Sequence, residues 1–383
     1  MIRIANIIEE GRLGGPQLRI TATAERLRDF NVHTTVIFPE IDSKDFHARL
    51  SDANIPNKQF PLHRLTKEKI HLFKYFLFWL YEVFLLFKYL KNESFDIVHI
   101  SGGSWQVKGV IAAKLAGCKI LWHLNDTFVP KYLLNVFKFL SRYADGFIVS
   151  ALKVKDFYNK TFTLKRPVFL IRPPVDCSYY NPEIVKTESE CTDKSIVTIG
   201  TVANINPVKG IEYFIEMASI LNHKYCNLQF IIIGPVFKNQ EKYYKKLKQK
   251  IEVARIENVK FLGSLIDVRP VLKSMNIYIC SSLFESGPMS LWEAMSMEKA
   301  VVSTDVGDVK EFIESGHNGF IVPPGDSNTL ADKVEILIND ENLRDRFGIQ
   351  SRQVALSQLD LSICVAEHLN AYRSLIIPPP HHI

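Results

Sequence analysis

The sequence has few cysteines, and none of them is arranged as a zinc site or a disulfide framework. Its six cysteines stand singly, without a C-x-x-C pair or a cluster with histidine. Scattered thiols of this kind are typical of a reducing compartment, where they pack as small apolar side chains. The opening residues also lack the long uncharged run of a signal peptide, because Glu9, Glu10 and Arg12 interrupt it. We therefore expect a cytoplasmic protein.

Tandem repeats and low-complexity tracts are also missing, and no uncharged run approaches the roughly 20 residues that a membrane-spanning helix needs. What remains is the composition of a folded globular protein. The chain has 383 residues, of which 47% are hydrophobic and 23% charged. This length is sufficient for two ordinary domains, each with its own core.

Short apolar runs rich in β-branched residues alternate with amphipathic, helix-length stretches. The runs are IRIANII, HTTVIF, FDIVHIS, CKILWHL and GFIVS in the first half, and SIVTIGTV, LQFIIIG, VKFLG, IYICSS and AVVST in the second. This alternation predicts two α/β domains of the doubly wound, Rossmann-like type, with parallel sheets. Prolines cluster near IRPPVDCSYYNP, so we predict domains at 1–170 and 171–365. A C-terminal helix and tail, 366–383, are expected to return toward the first domain.

Charge is unevenly divided along the chain. Residues 1–170 contain 25 basic and 15 acidic residues, for a net charge of +10, whereas the remainder has a net charge of −4. Within residues 67–91, Lys67, Lys74, Tyr81 and Lys88 recur every seven positions among Phe, Leu, Tyr and Trp. This pattern fits a helix lying on an anionic membrane surface. A helix packed on the sheet of its own domain explains it equally well.

The segment GRLGGPQLRI follows the first predicted strand. Gly14 and Gly15 allow the backbone to approach a ligand closely, and Pro16 suits the first turn of a helix. A helix N-terminus preceded by glycines can receive a phosphate group. A simple tight turn is an equally good interpretation.

The segment SSLFESGPMSLWEAMSMEKAVVST contains two glutamates eight positions apart. Glu285 is predicted in a loop after a strand, and Glu293 in the first turns of the following helix. Because ligands of parallel sheets bind at the carboxyl ends of the strands, both carboxylates are placed to accept hydrogen bonds from sugar or ribose hydroxyls. For an isolated pair, a loop cap and a helix-surface ion pair would be the simpler interpretation.

Several stretches together are similar to motifs of one known family. ESGPMSLWEAMSMEKAVVSTDVGDVKEFIESGHNGFIVPPGD resembles the signature segment, with its Glu-x7-Glu spacing, and GRLGGPQLRI resembles the glycine loop. FDIVHISGG resembles the central strand, ILWHLND the strand that ends in a histidine, and IRPPVDCSYYNP the interdomain segment. NPVKGIEYFIEMA resembles the phosphate-binding lysine region, and CVAEHLNAYRSLI the closing helix. The family is the group-1, family-4-like retaining glycosyltransferases of the GT-B fold, in which two Rossmann-like domains face each other across a cleft.

The resemblance implies roles for individual residues. Glu293 would bind the ribose hydroxyls of a nucleotide-diphosphate sugar, Glu285 would contact the transferred sugar, and Lys209 would neutralise the leaving diphosphate. His123 would lie over the sugar near the reacting carbon. The other implied donor contacts are Gly14, Gly15, Asn204, Ser286, Gly287, Pro288 and Met289. No metal or other cofactor is expected, because a lysine and helix dipoles stabilise the leaving group in this scheme, and the sequence contains no D-x-D.

Two departures from the family pattern stand out. Asn204 occupies the position of a usual arginine, so one cation of the diphosphate site is missing. Three explanations are open: Lys209 and the glycine loop bind the diphosphate without it, Arg12 or Arg19 supplies the charge instead, or activity is low. Pro173 and Pro174 replace a usual Asn-Gly and are expected to stiffen the hinge. For His123, a buried core histidine is the competing interpretation. Asp126, three residues further on, either orients a substrate hydroxyl or caps the following helix, and we favour the cap.

The sequence therefore predicts a metal-independent hexosyltransferase with a saccharide or lipid-linked acceptor, active in bacterial surface polysaccharide synthesis. It would be cytoplasmic or peripheral on the inner face of the membrane, and nucleic acid is not an expected partner. The alternatives are a GT-B nucleotide-sugar epimerase or hydrolase, and a catalytically silent protein that binds sugar nucleotides.

Overall fold

A computed structural model of the chain describes residues 1–65, 69–126, 129–161, 163–186 and 195–376. It divides into two compact units, one formed by Met1–Pro173 together with the C-terminal segment from Leu361, and the other by Pro174–Asp360. The boundaries predicted at 170 and 365 lie within five residues of these division points. The end of the predicted tail, 377–383, lies outside the described residues.

The first unit contains a seven-stranded parallel sheet with strand order β3-β2-β1-β4-β5-β6-β7. Its strands are β1 (Ile2–Ile8), β2 (Val32–Pro39), β3 (Asn57–Phe60), β4 (Ile97–Ser101), β5 (Lys119–Leu124), β6 (Gly146–Val149) and β7 (Val168–Leu170). Its helices up to the boundary are α1 (Gly15–Leu27), α2 (Lys44–Asp52), α3 (Lys69–Glu93), α4 (Val107–Ala116), α5 (Lys131–Leu140) and α6 (Leu152–Thr161).

The second unit contains a six-stranded parallel sheet with strand order β10-β9-β8-β11-β12-β13. Its strands are β8 (Val197–Val202), β9 (Leu228–Ile233), β10 (Val259–Gly263), β11 (Ile277–Cys280), β12 (Ala300–Thr304) and β13 (Phe320–Val322). Its helices are α7 (Ile211–Asn222), α8 (Glu241–Val253), α9 (Arg269–Ser274), α10 (Met289–Ser296), α11 (Val309–Phe312), α12 (Ser327–Asn339) and α13 (Glu341–Val354).

Both faces of the first sheet are buried. On one face, Ala5 and Ile7 of β1 pack in a cluster that includes residues of α3 and α4. On the other, Ile4 packs with Leu361 and Val365 of α14 (Leu361–Ile376), the last helix of the first unit. Burial on both faces explains why the predicted runs are almost continuously apolar. The prediction of two Rossmann-like parallel-sheet domains is confirmed.

Helix α3 covers most of the stretch predicted to meet a membrane, and buried charges hold it in place. Lys108 of α4 is fully buried, with its Nζ 2.6 Å from the carboxylate of Glu82 on α3 and 3.7 Å from that of Glu9 after β1. The Nδ1 of His63 lies 2.6 Å from the same Glu82 carboxylate. Lys74 and Lys88 are exposed, while Lys67 lies outside the described residues. None of the described helices is long and apolar enough to cross a bilayer.

Candidate active site

In the second unit, the loops that follow β8 and β11 are joined directly. The amide of Leu283 donates to the carbonyl of Val208 at 2.8 Å, and Ser281 Oγ donates to the carbonyl of Lys209 at 3.1 Å. Gly210 has φ +61°, and a Cβ at this position would lie 2.0 Å from the Ser281 carbonyl oxygen. Only glycine allows this approach. The backbone at Lys209 is therefore fixed against the end of β11.

The side chain of Lys209 meets that of Glu285 across these loops. Their Nζ and Oε1 atoms are 2.5 Å apart, and Ser282 Oγ donates to the same carboxylate oxygen at 2.8 Å. The two charged side chains are 26% and 14% exposed, so the pair remains accessible while partly shielded from water. Partial shielding strengthens the attraction between the ammonium and the carboxylate. The sequence prediction assigned both residues to one site, and the structure brings them into contact.

Glu293 lies in the second turn of α10 and is bound by a residue that the sequence analysis missed. Burial raises the pKa of Glu293 to about 7, although a hydrogen bond from the Tyr180 hydroxyl opposes this shift. The carbonyl of Tyr180 accepts hydrogen bonds from Ser296 Oγ at 2.7 Å and from Arg352 at 3.2 Å, which fix the backbone at the tyrosine. The result is a shielded carboxyl group that changes charge near neutral pH.

The residues between the two glutamates form the entry to α10. Ser286, Gly287 and Met289 are partly exposed, Pro288 is buried, and the helix begins at Met289 without a side-chain cap or an acidic residue in its first turn. The loop after β12 supports this segment, because a Cβ on Gly307, at φ +54°, would lie 2.7 Å from the Ser286 carbonyl oxygen. An uncapped first turn favours an electronegative ligand.

Asn204, at the position of the missing arginine, is exposed in the loop after β8. The structure gives the two candidate substitutes other partners. Arg12 Nη2 lies 3.0 Å from the carboxylate of Glu10. Arg19 is 5% exposed and bound to His123 inside the first unit. Arg19 is therefore not free to supply the missing charge.

His123 is completely buried in the first unit. Arg19 Nη1 lies 2.8 Å from its Nε2, and its Nδ1 lies 3.3 Å from Nε2 of His99, whose own Nδ1 is 2.8 Å from the hydroxyl of Tyr372. Burial, reinforced by the Arg19 charge, holds the pKa of His123 well below its ordinary value, so the ring is neutral. This is the arrangement of a core histidine, and the implied contact with sugar stays a prediction.

His99, His123 and His368 are the one group of side chains in the described ranges that approaches a metal site, with ligand atoms within 4.8 Å of one another. Both ring nitrogens of His99 and of His123 are already engaged, and His368 Nδ1 lies 2.8 Å from the Cys364 carbonyl oxygen. A buried guanidinium beside the rings also disfavours a cation. These residues do not fit a metal ion.

A small cavity of about 10 Å³ adjoins this cluster. Five polar atoms from its lining residues are buried without a hydrogen-bond partner: Asn6 Oδ1, Arg19 Nη2, Thr23 Oγ1, Thr34 Oγ1 and Ser101 Oγ. The volume and polarity suit a single water molecule, which would satisfy several of these groups. The cluster is thus better explained as a hydrated polar core than as a catalytic centre.

Gly14 and Gly15 lie at the start of α1 and are partly exposed. Gly14 has an extended backbone with φ −161°, and its carbonyl accepts from the amide of Leu18 at 3.0 Å. The first turn contains no acidic residue, which keeps it suitable for an anion. The glycine that sterics require in this loop is Gly11, because a Cβ there would lie 2.4 Å from the Ile41 carbonyl oxygen.

The interpretation of Asp126 as a helix cap is wrong. Helix α5 begins at Lys131, with Pro130 at the capping position. Asp126 instead accepts hydrogen bonds from Ser104 Oγ at 2.8 Å and from the hydroxyl of Tyr158 at 2.5 Å. It ties the loop after β5 to the loop after β4 and to α6.

Comparisons with known proteins agree with this architecture. The family described as "Glycosyl transferases group 1" matches residues 187–354, and "Glycosyltransferase Family 4" matches residues 13–179. Each match falls almost entirely within one half of the chain, and together they leave only short segments unmatched.

Individual relatives match over different lengths. An alpha-D-kanosaminyltransferase of Streptomyces kanamyceticus is 28% identical over 45% of this chain and 45% of its own length. A Campylobacter jejuni protein is 26% identical over 92% of this chain and 93% of its own; it is named GalNAc-alpha-(1->4)-GalNAc-alpha-(1->3)-diNAcBac-PP-undecaprenol alpha-1,4-N-acetyl-D-galactosaminyltransferase.

Among solved structures, Anabaena HepE in complex with UDP and glucose superimposes with a TM-score of 0.84 at 21% identity. It covers 98% of this chain and 100% of the HepE chain. At that identity the likeness shows the fold.

Proposed function

Because the chain belongs to the group-1 glycosyltransferases and has the GT-B fold, we propose that it transfers a sugar, with retention of anomeric configuration, from a nucleotide-diphosphate donor to a hydroxyl. The observation that carries this proposal is the Lys209–Glu285 pair, which shares a unit with the shielded carboxyl of Glu293. One cation and two carboxyl groups match the diphosphate, sugar and ribose of such a donor.

The proposed chemistry assigns each group a step. In the free protein Glu285 holds the ammonium of Lys209 in place. When donor binds, its diphosphate takes the ammonium as partner, and Glu285 accepts hydrogen bonds from the sugar hydroxyls. The bond between the anomeric carbon and the phosphate oxygen breaks as the acceptor oxygen adds on the same face. The acceptor proton passes to the departing phosphate, and Lys209 stabilises the negative charge that develops there.

Metal independence is part of this proposal. Lys209 and the uncapped first turn of α10 supply the positive potential that a divalent ion would otherwise provide. Transfer should therefore persist in EDTA. Loss of transfer in EDTA, restored by added Mg²⁺ or Mn²⁺, would contradict this assignment.

We propose a hexose donor and an acceptor saccharide carried on a lipid, in synthesis of a bacterial surface glycan. Two likenesses support this choice: the HepE complex contains UDP and glucose, and the name of the Campylobacter relative specifies an undecaprenol diphosphate acceptor. Action on such an acceptor implies peripheral contact with the inner face of the membrane, for which α3 is the candidate element.

The test begins with a thermal-shift screen of nucleotide sugars, since a donor stabilises the native state by mass action. The donor that binds best is then incubated with saccharide acceptors, and Glu285→Ala is compared with the exposed control Ile349→Ser. We expect acceptor-dependent product from the wild type and the control, and a strong loss with Glu285→Ala. Equal rates in all three proteins would refute the site assignment.

A further inference from the structure

Helix α3 is apolar on two opposite faces. Its inner face packs in the core through Val83, Leu86 and Leu90. Its outer face exposes a row of large apolar side chains that spans three turns: Phe73 68%, Phe76 67%, Leu77 60%, Leu80 76%, Tyr81 56% and Phe84 56%. A helix that is apolar all round normally lies within a core or a membrane. Within the described residues, this outer row is left exposed to solvent.

Next to this row, an apolar groove of about 450 Å³ lies over α4, between α3 and α5. Trp79 of α3 forms one wall, Val107 and Ile111 of α4 form the floor, and Val136 and Phe139 of α5 form the other wall. Phe139 is itself 53% exposed at the rim. An exposed apolar row and an apolar groove that share one helix are the kind of surface that marks an interaction site.

Lysines supply most of the exposed charge on these three helices. Lys74, Lys88, Lys114, Lys131 and Lys138 are all exposed on α3, α4 and α5. Within α3, Glu82 is fully buried against Lys108, and Glu93, at the end of the helix, is paired with Arg3 at 3.3 Å. The sequence has no acidic residue in 107–116 or 129–144. The exposed charge of these three helices is therefore predominantly positive.

This charge distribution selects the occupant. A second copy of the chain, docked face to face, would bring the same lysines into opposition, and the repulsion would oppose the contact. Anionic lipid instead offers phosphate to the lysines and hydrocarbon to the aromatic row. The groove, whose lining is apolar except for Asn135 of α5, suits a hydrocarbon chain.

We propose that the surface formed by α3, α4 and α5 docks on an anionic bilayer and that the Trp79–Phe139 groove takes up a hydrocarbon chain of one lipid. The proposal deepens the membrane contact proposed above and rests on it. It also assigns α5, which the sequence pattern did not indicate, to the same surface as α3.

Docking is tested by flotation with vesicles of phosphatidylcholine alone and with 30% phosphatidylglycerol. The wild type should bind the anionic vesicles and not the neutral ones. Lys74→Gln, Lys88→Gln and Lys138→Gln combined should weaken binding by about a hundredfold, since each lysine contributes about fivefold near such a surface. Leu80→Ser with Phe84→Ser should weaken it at least tenfold. The matched control, Val253→Ser with Ile349→Ser, replaces two exposed apolar residues of the second unit and should bind as the wild type does.

Occupation of the groove is tested by fluorescence, because Trp79 lies in it while Trp122 and Trp292 are fully buried elsewhere. The fourth tryptophan, Trp105, is partly exposed, and comparison with Trp79→Phe separates its signal from that of Trp79. Vesicles whose phosphatidylglycerol has 6,7-dibromo chains should quench the tryptophan fluorescence of the wild type more strongly than that of the Trp79→Phe variant. Val136→Phe, which fills the groove and keeps its apolar character, should reduce the quenching of Trp79 while vesicle binding persists.

In the flotation experiment, three results would overturn the proposal: no binding of the wild type, equal binding to neutral and anionic vesicles, or full binding by the Leu80→Ser, Phe84→Ser variant. In the fluorescence experiment, an absence of Trp79 quenching by the brominated lipid would overturn it. A dimer in sedimentation that dissociates in the Leu80→Ser, Phe84→Ser variant without vesicle binding would identify a second copy as the occupant instead. Each variant is also assayed for donor stabilisation and for transfer to a soluble acceptor. These two assays distinguish a failure of the membrane proposal from a failure of the glycosyltransferase assignment.

Discussion

If Glu293 receives the ribose of the donor, donor affinity should depend on pH in a way that identifies this carboxyl group. Burial raises the pKa of Glu293 to about 7 in the free protein. About one tenth of the group is then ionised at pH 6 and about nine tenths at pH 8. The ionised form is the better acceptor for two hydroxyls. Affinity should therefore rise with pH, by about tenfold between pH 6 and pH 8.

The measurement is isothermal titration with the best-binding nucleotide sugar, whose diphosphate is esterified at both ends and has no phosphate group titrating in this range. Two variants serve as controls. Glu293→Gln keeps the shape but cannot ionise, so its weaker binding should be flat across the range. Tyr180→Phe removes a hydrogen bond that lowers the pKa of Glu293 and should move the rise to higher pH.

The wild type should also release a proton on binding near pH 6.5, which is seen as a dependence of the measured heat on the ionisation enthalpy of the buffer. A wild-type protein with the same pH profile as Glu293→Gln would refute the reasoning. The pH dependence would then belong to another group, and Glu293 would have a structural role.

Three further predictions concern Lys209, Asn204 and Lys108. Lys209→Met should lower kcat about a hundredfold or more, with a smaller effect on donor affinity, because the charge matters most as the diphosphate leaves; steady-state kinetics would contradict this if KM alone changed. Asn204→Arg should raise turnover or donor affinity if the missing cation limits the reaction, and a neutral or harmful result in the same assay would show that it does not. Lys108→Met should destabilise the protein by about 3 to 5 kcal/mol in urea unfolding, because it removes the buried cation that faces the carboxylates of Glu82 and Glu9; a change below about 1 kcal/mol would show that the buried pair is dispensable.

All ten apolar runs predicted as strands form strands, because each contains β-branched, aromatic or other apolar residues that favour a strand and each pairs within a parallel sheet. The strands that were not predicted are short or polar. The sequence of β3, NKQF, has little apolar character at the edge of its sheet, and β7 and β13 have three residues each. A period-of-two pattern cannot be read from three residues.

Local spacing was informative for the candidate site where the chemistry lies within one loop and helix. It singled out Glu285 and Glu293, whereas Lys209 was assigned through the family resemblance, and the roles of all three residues stay predictions. It did not identify Tyr180, which bonds to Glu293 across more than a hundred residues of sequence. The pairing of Arg19 with His123 was missed for the same reason, since it joins side chains of α1 and β5 that lie 104 residues apart in the sequence. Such partners are set by tertiary packing, which residue spacing does not encode.

The central claim is that the protein transfers a sugar with retention. Its most direct test is proton NMR of the reaction between the best-binding nucleotide sugar and a saccharide acceptor, with the configuration at the new anomeric centre read from its coupling constant. We expect a product that appears only with acceptor present and keeps the configuration of the donor. An inverted product, or donor consumed without acceptor to give a free sugar, would contradict the account.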